Sequence, residues 1–372
     1  MKYDNLYKVA HSDTIETPAL VYYQNIIENN TLKVIEIAKD VKRLWPHVKT
    51  HKMREMVTMQ MNMGIERFKC STIGEAEMLA GVGVKHALLA YPLVGPNIMR
   101  FIRIQKAYMN TQFYAIADDF EQMKYLSTSA HEAGICIPLF IDVNFGMNRT
   151  GVLLGSQVKE IVVKGKQLAG VNIVGFHCYD GHHHDRDMRV RTQKANAQRE
   201  IMFTIADSIK SVIKDFAPMY IMGGTPSFPC YVAIPSVYLS PGTAFVYDYG
   251  YSEKVPDLPF IPGAAILTRV ISHPSPHLFT LDLGHKGIAT DRPGSRGLII
   301  GMEDATSVTH SEEHWVFSRD EKYSIPPIGS VLYVIPSHIC PSTALYPSVL
   351  VAKEGNIVGS WDVKARNRHL TF

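Results

Sequence analysis

Cysteine is scarce in the 372 residues: Cys70, Cys136, Cys178, Cys230 and Cys340 are odd in number, widely spaced and form no CxxC. That excludes a disulfide framework. No run reaches the roughly 18 apolar residues of a transmembrane helix, and the opening MKYDNLYKVAHSDTIETPAL lacks the apolar core of a signal peptide. A cytoplasmic protein is expected. Charge of one sign is also missing, since 38 Lys+Arg against 35 Asp+Glu leave +3 with no basic block. Neither nucleic acid nor a membrane surface is an expected partner. No GxGxxG follows the first strand-like run and no GK[ST] closes a glycine loop, which removes dinucleotide and Walker-type nucleotide binding. What remains, 46% hydrophobic and 20% charged, is a globular chain with apolar material for a large core. The expected partner is a small molecule.

From residue 19 to about 225, short β-branched or aromatic runs alternate with segments of helical period. The predicted strands are ALVYY (19–23), LWPHVK (44–49), RFKCST (67–72), HALLAY (86–91), QFYAIA (112–117), IPLFIDV (137–143), NIVGFHCY (172–179) and MYIMGG (219–224). Between them, Val158, Ile161, Val162, Gly165 and Leu168 share one helix face, as do Phe120, Met123, Leu126, Ala130 and Ala133. Eight such repeats predict an α/β fold with a (β/α)8 TIM-type barrel over 19–255. After residue 255, prolines punctuate short runs such as AAILTRVI, LFTLDL, SVLYVI and SVLVAK without helical period. They predict an all-β C-terminal domain over 256–372.

In such a barrel, polar residues at strand ends have the strongest claim to chemistry. The second strand closes with Pro46-His47-Val48-Lys49-Thr50-His51-Lys52, where a period of two puts His47, Lys49 and His51 on one face. A lysine among cations tends toward the neutral amine that attacks carbonyls; the plain alternative is a solvated loop lysine. Arg149, in DVNFGMNRTG (142–151), suits an anionic oxygen. Gly223-Gly224-Thr225 and Ser240-Pro241-Gly242-Thr243 offer backbone N–H groups and hydroxyls, a cradle for the phosphate of a cofactor. His338 and Cys340, at i and i+2 on a predicted strand, project to one side and make a zinc-type ligand pair with open positions. Of the run His182-His183-His184 only His182 is a candidate, and SEEH (311–314) reads as a solvated turn.

Taken together, PHVKTHK (46–52), STIGEAEMLAGVG (71–83), DVNFGMNRTG (142–151), YDGH (179–182), GGTPS (223–227), SPGT (240–243), SEEH (311–314) and HIC (338–340) resemble the fold-type III pyridoxal-phosphate enzymes of the D-threonine aldolase and D-serine dehydratase group. The resemblance implies pyridoxal 5'-phosphate attached to Lys49 as the Schiff-base lysine, with Lys52 not the nucleophile. It implies Arg149 near the ring's phenolic oxygen, Gly224, Thr225, Gly242 and Thr243 around the phosphate, and Tyr179 and His182 beside the substrate. His338 and Cys340 would carry a divalent metal, zinc first and manganese or magnesium as alternatives, next to the substrate β-hydroxyl. It also implies an alanine racemase-like barrel, residues 1–18 joining the β domain, and a homodimer.

The implied activity is a lyase of D-3-hydroxy amino acids, cleaving to glycine and an aldehyde as the aldolases do, or eliminating to a keto acid and ammonia as the dehydratases do. Cys340 stands where the aldolases usually place a carboxylate, which favours dehydration. LDLGHKGIA (281–289), SEEHW (311–315) and WDVKARNR (361–368) resemble the aldolase branch, which is the leading reading. A racemase would need a second base on the opposite ring face and no metal pair. A non-catalytic cofactor carrier would end with the barrel.

Overall fold

In the computed structural model, which describes residue 3 and residues 5–372, the Val-, Ile-, Leu- and aromatic-rich runs form the strands. In chain order these are β1 (Ala19–Tyr23), β2 (Arg67–Cys70), β3 (His86–Leu89), β4 (Gln112–Ala117), β5 (Ile137–Asn144), β6 (Val152–Leu153), β7 (Val171–Cys178), β8 (Met219–Met222) and β9 (Val237–Leu239). They continue as β10 (Ala264–Ser275), β11 (Leu278–Leu281), β12 (Gly297–Ile299), β13 (Thr306–His310), β14 (Trp315–Ser318), β15 (Val331–Pro336), β16 (Ser348–Lys353) and β17 (Asn356–Asp362). The chain divides into two units: one of the residues up to Lys33, Thr50–Met53 and Thr243–Arg366, the other of Val34–Lys49, Arg54–Gly242 and Asn367–Phe372.

The second unit is the barrel. Its strands run parallel in the order β2-β3-β4-β5-β7-β8-β9, with β6 beside β5. Segment 44–47 closes the ring: Leu44 bridges Leu239 and His47 bridges Lys69, with Trp45 N donating to Leu239 O and Lys69 N to Pro46 O. Parallel strands wrapped by helices are apolar on both faces, and β5 is buried at every position except Pro138 and Asn144. The interior is filled by Trp45, Leu88, Tyr114, Ile116, Phe140 and Ile221. The indole of Trp45 meets the rings of Tyr114, Phe140 and Tyr238 edge to face at 5.3, 5.8 and 5.6 Å. The expected helix faces are buried at Met123, Leu126 and Ala130, and at Val158, Ile161, Val162 and Gly165.

Strand assignments differ from the sequence reading at three places, the first being LWPHVK (44–49), which forms only the single bridges at Leu44 and His47 before a 3-10 turn takes over at Val48. ALVYY is not a barrel strand: as β1 it pairs antiparallel with β10 and parallel with β16 in the other unit. A short run buried on both faces fits either kind of sheet equally well. Its place in the ring is taken by β9, three residues set between Pro235 and Pro241, too short to announce itself by pattern.

The first unit is a nine-stranded sheet in the order β13-β14-β11-β10-β1-β16-β17, with β15 pairing β10 and β12. Tyr7, Val21, Tyr23, Leu267 and Ile335 belong to its core. Among the described residues no helix is long and apolar enough to cross a membrane.

Candidate active site

Lys49 sits at the end of the closing segment of the barrel, in a single 3-10 turn, Val48–Thr50. The turn corrects the expected alternation of His47, Lys49 and His51, because a tight turn replaces the period of two by a period of three. His47 is buried and its Nδ1 accepts from Lys49 N at 3.3 Å. His51 falls in the sheet unit, 1% exposed. Burial, then the neighbouring charge of Lys52, lowers its pKa to about 3.

The ring of Tyr179, just past β7, gathers three cations of the barrel. Lys49 Nζ lies 5.8 Å from the ring centroid, Lys69 Nζ 5.5 Å and Arg149 Cζ 5.3 Å. Lys49, Arg149 and Tyr179, separate in sequence, are thus brought together. Lys69 was not singled out by sequence reasoning; the available signal was a lysine within the apolar strand RFKC. Its Nζ lies 3.3 Å from His177 Nε2, and His177 Nδ1 is 2.6 Å from Asp142 Oδ1. Burial and the charge of Lys69 keep His177 below its ordinary pKa despite the opposing pull of Asp142. The imidazole is neutral, so Nδ1–H donates to Asp142 and Nε2 accepts from Lys69.

Behind Tyr179, Asp180 is fully buried and accepts from Ser227 Oγ at 2.5 Å and from Tyr231 OH at 2.6 Å. Ser227 Oγ in turn accepts from Gly224 N at 3.0 Å. This chain of bonds fixes the glycine loop after β8. Gly223 holds φ of +86°, and a Cβ on Gly224 would come within 2.9 Å of the Tyr179 ring, so the loop needs glycine at both positions. Gly242 N donates to Thr225 Oγ1 at 3.3 Å, joining the two glycine-cornered loops. Thr243 falls in the sheet unit, where its Oγ1 lies 3.4 Å from Cys340 Sγ.

His182 lies in the loop after β7, its ring 4.1 Å from that of His183. Its Nδ1 is buried with no bonding partner, and burial followed by the charges of His183, His184 and Lys194 lowers its pKa. The imidazole is therefore held toward its neutral form. His183 is buried and bonds Gln198 Oε1 at 3.0 Å. SEEH (311–314) is exposed, with Glu313 paired to Lys286.

In the sheet unit the expected strand for His338 and Cys340 ends at Pro336. His338 is instead the N-cap of helix Ile339–Leu345, and Cys340 lies in its first turn. The helix starts there because Asp248 accepts from Ile339 N at 3.1 Å. Asp291 Oδ2 lies 2.6 Å from His338 Nδ1, the way a carboxylate orients a metal-binding imidazole. Cys340 Sγ is 3.2 Å from Thr50 Oγ1. Among the described residues no group of three or more His, Cys, Asp or Glu side chains gathers to hold a metal ion. An imidazole braced by a carboxylate, with a thiol beside it in sequence, remains a donor set suited to an ion that keeps open positions.

The barrel residues fit pyridoxal phosphate. Three cations meet at one ring, the Gly224 and Gly242 N–H groups brace the two loops through Ser227 and Thr225, and the buried Ser240 hydroxyl has no partner within the chain. A phosphate takes donors of this kind.

Residues 24–248 match the family model "Alanine racemase, N-terminal domain", and residues 263–352 match "Putative serine dehydratase domain". A D-threonine aldolase of an Arthrobacter species is 27% identical, the match covering 95% of this chain and 93% of the relative. A 3-hydroxy-D-aspartate aldolase of Paracoccus denitrificans is 24% identical over the same shares. The crystal structure of D-threonine aldolase from Filomicrobium marinum superposes with a TM-score of 0.88 at 24% identity, covering 96% of this chain and 98% of that one.

Proposed function

Because this chain belongs to the alanine racemase N-terminal domain family of fold-type III pyridoxal-phosphate enzymes, we propose that it is a metal-assisted lyase that cleaves D-3-hydroxy amino acids to glycine and an aldehyde. The observation that carries the reading is the meeting of Lys49 and Arg149 at the Tyr179 ring, beside two glycine loops joined by the Gly242–Thr225 bond. Pyridoxal phosphate, when bound, draws off the electron pair that develops at the substrate Cα.

Lys49 would supply the amine that holds the cofactor. Arg149 would offset negative charge on the ring oxygen, while Gly224, Thr225, Gly242 and Thr243 would hold the phosphate. His338 and Cys340 would hold a divalent ion, zinc by donor type and manganese or magnesium as alternatives, that polarises the substrate β-hydroxyl. His182, held neutral by burial and its cationic neighbours, would take the hydroxyl proton as the Cα–Cβ bond breaks, and a proton returned to Cα would complete glycine. Tyr179 borders the substrate.

One feature favours a second reading. Cys340 is a soft ligand, and it lies within the stretch that matches the serine dehydratase model. In that reading Lys49 Nζ would take the Cα proton, an ion held by His338 and Cys340 would supply the Lewis acidity that eases loss of the β-hydroxyl as water, and addition of water to the resulting enamine would give a keto acid and ammonia.

Product analysis with D-threonine and D-serine decides, using protein stripped of metal, loaded with pyridoxal phosphate and then given zinc or manganese. Glycine with acetaldehyde establishes the aldolase, and keto acid with ammonia the dehydratase. If neither forms with either metal, the lyase reading fails.

A further inference from the structure

Asp180 takes no part in the reading above, yet it sits directly behind the loop assigned to the phosphate. It is fully buried, and a carboxylate at that depth is costly unless hydrogen bonds satisfy it. Its two oxygens are met by hydroxyls: Ser227 Oγ donates to Oδ1 at 2.5 Å, and Tyr231 OH donates to Oδ2 at 2.6 Å. A carboxylate that accepts at both oxygens has no proton to give back.

That polarity decides what Ser227 does. A serine hydroxyl has one proton to donate, and Asp180 takes it, so the lone pairs of Ser227 Oγ are left for Gly224 N, which donates at 3.0 Å. Ser227 N returns a bond to Gly224 O at 3.2 Å, and Phe228 N adds a second at 2.8 Å. The turn 224–227 is closed from both ends, with Thr225 inside it accepting from Gly242 N. The residues on either side of Asp180 brace the same turn: a Cβ on Gly224 would come within 2.9 Å of the Tyr179 ring and 3.1 Å of Gly181 Cα. An asparagine at 180 would point an amide N–H at one of the two hydroxyls that now donate. Either Ser227 or Tyr231 would then have to turn, and the turn would lose its fixed polarity.

We infer that Asp180 is a positioning residue for the cofactor's phosphate: as the acceptor-only end of the chain from Gly224 N–H through Ser227 Oγ–H, it holds the turn that presents Thr225. The inference rests on the reading of this loop as part of the phosphate's cradle. Being fully buried, Asp180 acts through Ser227 rather than by touching the cofactor.

Pyridoxal has the ring and the aldehyde but no phosphate, so it separates the cradle from the rest of the site. Full-length, cofactor-free protein is titrated with pyridoxal phosphate and, separately, with pyridoxal, and the visible absorbance gives both dissociation constants. Asp180→Asn is expected to weaken pyridoxal phosphate about tenfold, the size of one hydrogen bond left unmade, and to leave pyridoxal unchanged. Ser227→Ala removes the middle of the chain and should do the same, with no further loss when the two are combined. It also serves alone if the asparagine variant fails to fold. A parallel loss of both ligands, or no loss of either, overturns the inference. Wild-type protein that binds pyridoxal as tightly as pyridoxal phosphate sinks the cradle reading itself, and the inference with it.

Discussion

Asp142 and His177 are register partners on neighbouring parallel strands, and their side chains close a 2.6 Å bond inside the barrel. Both side chains are about one-twentieth exposed, at 5% and 6%. A single ladder position thus fixes both the tautomer of the imidazole and the face it turns to Lys69.

Removing the carboxylate should be expensive. Asp142→Ala leaves the buried Nδ1–H of His177 without its acceptor, which costs about 1–3 kcal/mol, to be read from urea denaturation. Burial pushes Asp142 up, but the bond and charge of His177, Thr150 and Lys69 outweigh it and hold the carboxyl below its ordinary value. Its contribution is therefore fully present above the unfolded pKa of about 4 and lost as pH falls through the lower folded value. The Asp142→Ala protein should show a shallower acid loss in that window, and an unchanged one would mean that the pair does not form.

His51 predicts a second and earlier acid sensitivity. Folded, it stays neutral down to about pH 3, whereas the unfolded chain takes up the proton below about pH 6.5. The unfolded state binds more protons between these values, so stability falls with falling pH by about 1.4 kcal/mol per unit from this residue alone. His51→Gln should flatten the dependence of Tm on pH across that interval, and an identical slope would refute the assignment.

Lys49 and Lys52 separate by role. Lys49 faces the Tyr179 ring, while Lys52 belongs to the sheet unit and its carbonyl accepts from Ala365 N at 3.0 Å. Lys49→Ala should lose the visible absorbance of bound pyridoxal phosphate together with all activity. Lys52→Ala should keep both, and spectra of the two proteins loaded in parallel decide.

Asp291 and Cys340 test the metal. Asp291→Asn removes the carboxylate that braces His338 and should weaken zinc affinity about 10–100-fold, measured by competition with a chromophoric chelator. Cys340→Asp exchanges a soft donor for a hard one and should shift the preferred ion from zinc toward manganese. Equal zinc affinity in wild type and both variants would remove the metal from this site.

Much of the barrel was legible in sequence because strands buried on both faces carry unbroken apolar runs: RFKCST, HALLAY, QFYAIA, IPLFIDV, NIVGFHCY and MYIMGG each contain a strand of the ring. ALVYY shows the limit of that signal, since pairing with β10 and β16 or with barrel neighbours buries it equally well. For His338 and Cys340, local residues favoured a strand, but a cap from Asp248, some ninety positions away, starts a helix there. Distant partners leave no local pattern.

The sequence by itself determined the alternation of strand and helix, the glycine corners and the lysine in PHVKTHK, because periodicity, backbone freedom and amine chemistry act within a few residues. Only the tertiary structure decided that β9 and segment 44–47 complete the ring, and that Lys69 meets His177, Asp142 and Lys49 in its interior. Those relations depend on strand register across more than a hundred residues, and the charge of one buried amine is set by neighbours that only folding brings near.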